Sequence, residues 1–368
     1  MTMVQFQKKY KLKINNKILY LLLISFFSFS QNEKKSEIFT VFYNVENLFD
    51  TIDCPQKNDS EFLPNGKKKW NSKKYKQKIK QLNKVFQSIN RGNDIDIIGL
   101  CEVENKLVIN DLLREDFLKQ TKYNIIHKES PDNRGIDCAL IINKEYKILK
   151  YDFIEVKVKE SSRPTRDIIY AKIEVNNETF NLFVNHWPSR WGGKEETEYK
   201  RTGTASILRK YLNDSIKSNE KILIMGDFND YPSDKSILNV LEAGNKISKF
   251  NNNKLYNLMS NKDNSRGSYN YKGEWGYLDQ IIVSSNLGNK SKGSKISESG
   301  VFKKEWMLHE RYGDLYPKRS FLGKDFQPNG YSDHLPIYCI IKFCICKGII
   351  YTFQYSPPPW FFLKEAKS

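Results

Sequence analysis

Apolar, strand-length runs in this 368-residue chain end repeatedly on side chains that bind metals or move protons. Asn44 closes "EIFTVFYN", Glu102 closes "IDIIGLCE" and His186 closes "FNLFVNH". Asp227 and Asn229 follow "KILIMG", Asp279 opens "DQIIVSS", and Asp333 with His334 precedes "LPIYCIIKF". Any one of these has a plain explanation. A strand-end Asn or Asp caps a turn, an edge Glu is solvated, and a lone His is a satisfied hydrogen-bonder. The combination is harder to dismiss. Hard oxygen donors (Asn44, Glu102, Asp227) together with two of only four histidines suit a Mg²⁺-type site acting on phosphate. Side chains alternate along a strand, so Asp227 and Asn229 are expected on one side. The same rule leaves Glu104, two residues beyond Glu102, as an alternative carboxylate.

Positioning such a set needs a rigid frame, and the apolar runs supply candidates. Strands are expected at 37–45, 94–103, 135–143, 167–175, 179–187, 220–228, 277–285 and 335–343, each bounded by turn residues. Helices are expected at 74–89, with Ile79, Leu82, Val85, Phe86 and Ile89 on one face, and at 199–217, with Ala205, Leu208 and Leu212. Strands in groups with interspersed helices point to two sheets packed face to face with helices outside. No internal repeat and no linker is visible, so residues 31–343 read as one domain. The segments 53–72, 246–270 and 286–330 are polar and read as surface loops, the kind that line a site on a rigid scaffold.

Seven stretches then form a pattern: "NVENLFD", "GLCEVEN", "SPDNRGIDCALI", "NHWPSRWGG", "MGDFNDYPSD", "YLDQIIVS" and "YSDHLPIY". In this order, across about residues 37–343, they resemble the endonuclease/exonuclease/phosphatase superfamily, with its deoxyribonuclease I-like fold, and within it the exported bacterial branch. The resemblance implies an α/β four-layer sandwich, with two central mixed β-sheets packed face to face, helices outside and the site at the open end. It implies roles residue by residue. Glu102 and Asn44 would hold the metal, with Asp333 beside it. Asp227 would position or deprotonate the attacking water, and Asn229 would bond the phosphate and Asp227. His334 would bind the scissile phosphate or act as acid or base, oriented by Asp279. His186 would stabilise charge on the phosphate or its leaving group. Arg134 and Arg190 are expected phosphate partners, and Arg163 and Arg166 share that chemistry on a weaker warrant. The implied cofactor is Mg²⁺, with Mn²⁺ or Ca²⁺ as alternatives.

Composition bounds the setting. Apolar residues at 39% supply a sizeable core, which excludes wholesale disorder. The net charge of +17 favours a polyanionic partner, and a nucleic acid above all. Five of the positive charges, Lys8, Lys9, Lys11, Lys13 and Lys17, belong to a basic N-terminal stretch followed by the apolar "ILYLLLISFFSF". Twelve residues span roughly 18 Å as a helix, short of a ~30 Å hydrocarbon core, so 1–30 reads as a signal peptide cleaved near Ser30. That makes the mature chain exported (periplasmic or secreted), without a transmembrane segment and monomeric. Cys101 and Cys138 read as small buried hydrophobes, and Cys339, Cys344 and Cys346 lack the histidine spacing of a zinc site. The tail 344–368, with three consecutive prolines, has no assigned role.

An endonuclease on DNA or RNA is therefore the expected activity. Trp187, Trp191, Trp275 and Tyr277 lie near the motifs and would suit nucleic acid. One rival is a phosphodiesterase or phosphatase for lipid head groups or small phosphate esters, for which Trp306–Leu308 is a candidate lipid-facing loop. The other is a surface binding protein that keeps the fold without the chemistry.

Overall fold

A computed structural model describes residues 35–343, apart from positions 91, 93, 245–253, 261, 264–266 and 289–292. The expected signal peptide and the C-terminal tail lie outside the described residues. The chain runs β1 (Glu37–Leu48), α1 (Ser72–Ile89), β2 (Ile97–Val103), α2 (Lys106–Leu113), β3 (Tyr123–His127), β4 (Asp137–Asn143), β5 (Lys147–Ile154), β6 (Ile168–Val175) and β7 (Glu178–His186). It continues through α3 (Glu198–Ser215), β8 (Lys221–Asp227), β9 (Ala243–Gly244), β10 (Leu255–Asn257), β11 (Tyr269–Tyr271), β12 (Glu274–Gly276), β13 (Asp279–Ser284) and β14 (Lys295–Val301). The last elements are β15 (Leu308–Arg311), β16 (Asp314–Pro317), β17 (Phe321–Leu322), β18 (Asp325–Phe326) and β19 (Ile337–Lys342).

Two mixed sheets form the frame. One has the order β14-β19-β1-β2-β4-β3 and the other β5-β6-β7-β8-β13-β10-β9. In each, a parallel central pair, β1 with β2 and β7 with β8, is flanked by antiparallel neighbours. The sequence shows no internal repeat, yet β19-β1-β2-β4-β3 and β13-β8-β7-β6-β5 share one order of directions. The repeat exists at the level of topology alone.

Period two along β1 divides the cores. Ile38 and Phe42 face the other sheet, packing with Leu182, Leu223, Met225 and Ile281. Phe39, Val41, Tyr43 and Val45 face outward against Leu82, Val85 and Phe86 of α1 and Ile109 of α2. The second sheet does the same on its outer side, where Phe183 and Ile224 pack with Ala205, Leu208 and Leu212 of α3. Three cores between four layers make the expected sandwich. The helices start where capping dictates. Asn71 Oδ1 accepts from Lys74 N–H at 3.1 Å, and Asn105 Oδ1 accepts from Leu107 and Val108 N–H.

The central strands match the apolar runs, whereas β3, β5 and β14 lack such a run. All three are sheet edges, and β5 is exposed over most of its length, so neither has a continuous apolar signature. The segment 286–330, expected as loop, instead carries β14 to β18. Trp306–Leu308 is no lipid-facing loop either. Met307 is buried, and Trp306 and Leu308 pack against the outer core of the first sheet. Cys101 and Cys138 are buried and free, as expected of small hydrophobes, and Cys339 is buried and free as well. No helix among the described residues is long and apolar enough to cross a membrane.

Candidate active site

Strand direction explains why the polar residues meet. β1 with β2 and β7 with β8 form the central parallel pairs, and Asn44, Glu102, His186 and Asp227 all lie at or near their carboxyl ends. β13 and β19 run antiparallel to β8 and β1, so their beginnings, Asp279 and the adjacent His334, reach the same end. Register completes the alignment in the second sheet, where His186 and Asp279 both pair with Asp227.

Glu102 reaches this point by breaking the strand rule. Cys101 faces inward and Leu100 outward, so simple alternation would aim Glu102 at the outer core. Its φ of 63° and a register shift between Cys101 and Val103 form a bulge that turns the carboxylate back. Oε1 then accepts from Asn44 Nδ2 at 3.3 Å and Oε2 from Asn47 N–H at 2.9 Å. Glu104 goes elsewhere. Its Oε2 accepts from the Asp50 N–H at 2.7 Å, and burial pushes its carboxyl up to about 8. Of the two glutamates, Glu102 is the one hydrogen-bonded to Asn44.

Asn44 bridges the sheets, because its Nδ2 also donates to Asp227 Oδ2 at 3.1 Å. That oxygen lies 3.8 Å from both His186 Nε2 and His334 Nε2. The other carboxylate oxygen accepts from the Asn229 N–H at 3.0 Å. Here the expected strand geometry is corrected. β8 ends at Asp227, and Asn229 has φ 51°, so a side-chain turn rather than alternation brings the two together. The Asn229 amide itself donates to the Trp187 carbonyl at 3.0 Å.

The two histidines are driven apart electrostatically. Burial lowers His186 well below the usual histidine value, and the nearby Arg166 and Arg134 charges add to that. Its Nδ1 is buried without a hydrogen-bond partner, while two carboxylates face Nε2, Asp227 at 3.8 Å and Glu102 at 4.0 Å. The neutral ring therefore carries its proton on Nε2. Burial works against a charged His334 as well, but the Asp279 and then the Asp227 carboxylates overrule it and raise its pKa well above the usual value. Asp279 Oδ2 is 2.7 Å from His334 Nδ1, which leaves Nε2–H pointing into the site. Burial raises Asp227 to about 6 against the pull of His334, so it is an acceptor poised near neutrality.

Other expected residues are placed differently. Asp333 is paired with Arg319 at 3.2 Å, and Arg319 also holds the buried Glu46, so its carboxylate belongs to an ion-pair network beside the site. Arg190 is tied to Asp234 at 2.6 Å, Asp230 at 3.2 Å and the Asn229 carbonyl, and stacks on Tyr231. It braces the loop carrying Asn229 and has little left for a phosphate. Arg134 is half exposed beside Asp132 and remains available. Among the aromatics, Trp187 and Tyr277 are core residues, Lys303 covers Trp275, and Trp191 is 78% exposed.

Two contributors escaped the sequence. Ser332 Oγ donates to the Asn44 carbonyl at 2.7 Å and accepts the His334 N–H, locking the "SDH" turn to β1. Tyr269 packs its ring on His334 at 4.7 Å from a segment with no motif of its own. Ser332 had a signal in its position within "YSDH"; Tyr269 had none.

The donor set fits a hard cation. Glu102 is 17% exposed at the side chain and offers a hard carboxylate, which suits Mg²⁺ bound through few protein ligands. Asn44, expected as a second ligand, instead turns Nδ2 to Glu102 while its Oδ1 accepts from the Glu46 N–H at 3.0 Å. Ligand atoms of Cys101, His186 and Asp227 also lie within 4.8 Å of one another, as do those of Asp227, Asp279 and His334. The first group suits a hard cation poorly, since Cys101 offers a soft sulfur. In the second, Asp279 and His334 are engaged with each other.

A model of the Endonuclease/Exonuclease/phosphatase family matches residues 39–343. No curated protein matches the sequence. Among solved structures, an endonuclease/exonuclease/phosphatase family protein from Bacteroides thetaiotaomicron superposes with a TM-score of 0.53 at 15% identity, covering 84% of this chain and 98% of that one. The human Nocturnin catalytic domain with bound sulfate anion gives 0.52 at 15% identity, over 84% and 96% of the two chains. D. rerio TDP2 complexed with a single-strand DNA product gives 0.52 at 14% identity, over 84% and 100%. At these identities the likeness is one of fold.

Proposed function

Since the chain belongs to the endonuclease/exonuclease/phosphatase family, we propose that this site is the active centre of an exported, divalent-metal-dependent phosphoester hydrolase whose substrate is nucleic acid. One observation carries the reading: Asp227 Oδ2, on a buried carboxylate, lies 3.8 Å from the Nε2 of both histidines and accepts from Asn44 Nδ2 at 3.1 Å.

Glu102 would hold the metal, with Asn44 orienting its carboxylate through Nδ2. When bound, the metal neutralises charge on the phosphate's non-bridging and leaving oxygens. The chain's own groups do the rest. Asp227, near neutrality in its affinity for protons, takes the proton of the attacking water as the new P–O bond forms and the ester P–O bond breaks. His334, held cationic by Asp279, gives its Nε2 proton to the departing ester oxygen, while Asp227 keeps the proton taken from water. His186, held neutral, donates its own Nε2–H without adding charge. Asn229 and Asn44 fix the Asp227 carboxylate between them, so orientation does not have to be found during the reaction. The basic charge of the chain supports a polyanionic substrate, and the basic, then apolar, N-terminal stretch supports export.

Purified full-length protein incubated with plasmid, single-stranded DNA, RNA, sphingomyelin and bis(p-nitrophenyl) phosphate, with Mg²⁺ or with EDTA, tests this. Mg²⁺-dependent cleavage of nucleic acid that Asp227→Ala and His334→Ala abolish is the expected result. Turnover of the lipid alone, or activity that survives both substitutions, would overturn it.

A further inference from the structure

The loop that follows His186, through Pro188 and Ser189, lines a cavity of about 340 Å³ that the chemistry above does not use. Four cationic side chains line it, Arg134, Arg163, Arg166 and Lys200, against one carboxylate, Asp132. Asp132 is already committed, with Arg166 Nη1 at 3.0 Å and Arg134 Nε at 3.4 Å. Arg163 and Lys200 have no carboxylate partner among the described residues. Arg163 instead lies over the exposed ring of Trp191, its guanidinium carbon 5.6 Å from the centroid.

Arg166 makes this a built site rather than a patch of surface charge. It is 95% buried, and its Nε has no hydrogen-bond partner among the described residues. A guanidinium N–H enclosed without an acceptor carries a substantial desolvation cost. An anion entering the cavity removes that cost. The cavity is also wired to the reaction centre. Arg166 Nη2 donates to the Trp187 carbonyl at 2.7 Å, the same oxygen that accepts from Asn229 Nδ2, and Trp187 directly follows His186.

We propose that this cavity receives a second phosphate of the substrate while the scissile phosphate sits between the two histidines. The inference rests on the phosphoester hydrolase reading and sharpens it. Four cations favour a substrate with two neighbouring phosphates, as in a nucleic acid strand. They repel the quaternary ammonium of a phosphocholine head group, which would have to sit where cations already crowd. Trp191 offers a face for a base attached to that phosphate.

Calorimetric titrations in EDTA, where no turnover occurs, separate the two ideas. The probes are thymidine 3′-monophosphate, thymidine 5′-monophosphate, thymidine 3′,5′-bisphosphate, the dinucleotide TpT and the trinucleotide TpTpT. The wild-type protein should bind the bisphosphate about tenfold or more tightly than the better monophosphate, or TpTpT by a similar factor over TpT. In Arg163→Ala/Lys200→Ala each ratio should fall to within about twofold, with the melting temperature unchanged because neither side chain is buried. A gain confined to the bisphosphate assigns the cavity to a terminal phosphate, and a gain with TpTpT assigns it to the next diester of a strand. Equal binding of one- and two-phosphate probes, or ratios that survive the double substitution, overturns the proposal. Mg²⁺-dependent hydrolysis of bis(p-nitrophenyl) phosphate judges the hydrolase reading by itself, whatever these ratios show.

Discussion

His334 Nδ1 and Asp279 Oδ2 lie 2.7 Å apart, although His334 leads into β19 of one sheet and Asp279 begins β13 of the other. The pair is a seam between the sheets as well as a device for keeping an imidazole charged. Asn44 and Asp227 form a second such seam, so the candidate catalytic groups hold the open end of the sandwich together.

Asp279→Asn should separate these two duties. Without the carboxylate, His334 loses its main cationic support, and hydrolysis should fall by roughly 10²–10⁴-fold. The pH dependence should change with it. A raised histidine pKa contributes stability that is fully present below the unfolded value, near 6.5, and is lost as pH rises through the folded value. Melting temperatures from pH 5 to 9 should show this decline in the wild type and a flatter curve in the variant. An unchanged rate and an unchanged pH profile would remove His334–Asp279 from the mechanism.

The two glutamates of "CEVE" should respond in opposite ways. Glu102→Gln should raise the Mg²⁺ concentration needed for half-maximal rate by about 10–100-fold or more, read from a metal titration of the hydrolysis rate. Glu104→Gln keeps an acceptor for the Asp50 N–H and should retain hydrolysis. It should also be more stable than wild type at pH 8, by on the order of 2 kcal/mol, with the difference disappearing by pH 5. The sign follows from burial. A carboxyl raised to about 8 binds more protons folded than unfolded, so its ionisation costs stability as pH rises from the unfolded value toward 8. Urea melts at the two pH values would settle it.

The bulge at Glu102 has its own signature. A residue with a side chain at φ 63° costs about 1 kcal/mol or more relative to glycine. Glu102→Gly should therefore be more stable than Glu102→Ala by about that amount, the reverse of the ordinary order inside a strand. Both variants should be inactive with metal present. Equal stabilities would mean that the backbone relaxes out of the left-handed region.

Arg190→Ala should behave as a loop defect. Its partners Asp230, Asp234 and the Asn229 carbonyl all lie on the segment that follows β8, and Arg201 shares Asp230 from α3 at 2.7 Å. Removal should cost roughly 1–3 kcal/mol of stability and lower kcat, with KM little changed. Arg190→Lys should rescue poorly, because an ammonium cannot span three acceptors in fixed directions. A variant with wild-type stability and a KM raised tenfold would return Arg190 to the phosphate.

The central strands, both long helices and the residue types of the site were legible along the chain. Apolar runs that end on Asn44, Glu102, His186 and Asp227 carry that information locally. Edge strands were not legible, because β3, β5 and β14 have one neighbour and no buried run to mark them. The small strands of 308–326 pair only in hairpins and carry the composition of loops.

Sequence by itself determined which chemistry was on offer: hard oxygen ligands, two imidazoles and an excess of positive charge. Only the tertiary structure decided how it was distributed. A left-handed bulge turned Glu102 toward Asn44 while Glu104 took the Asp50 N–H, and a side-chain turn brought Asn229 to Asp227. Two carboxylates of the second sheet, Asp279 and Asp227, made one histidine cationic, while burial beside Arg166 kept the other neutral. The same arginine, left with an unpartnered N–H, turned a gap beside the loop that follows His186 into a cavity suited to an anion. These are properties of distance and burial between residues up to 288 positions apart, and the order of amino acids along the chain does not state them.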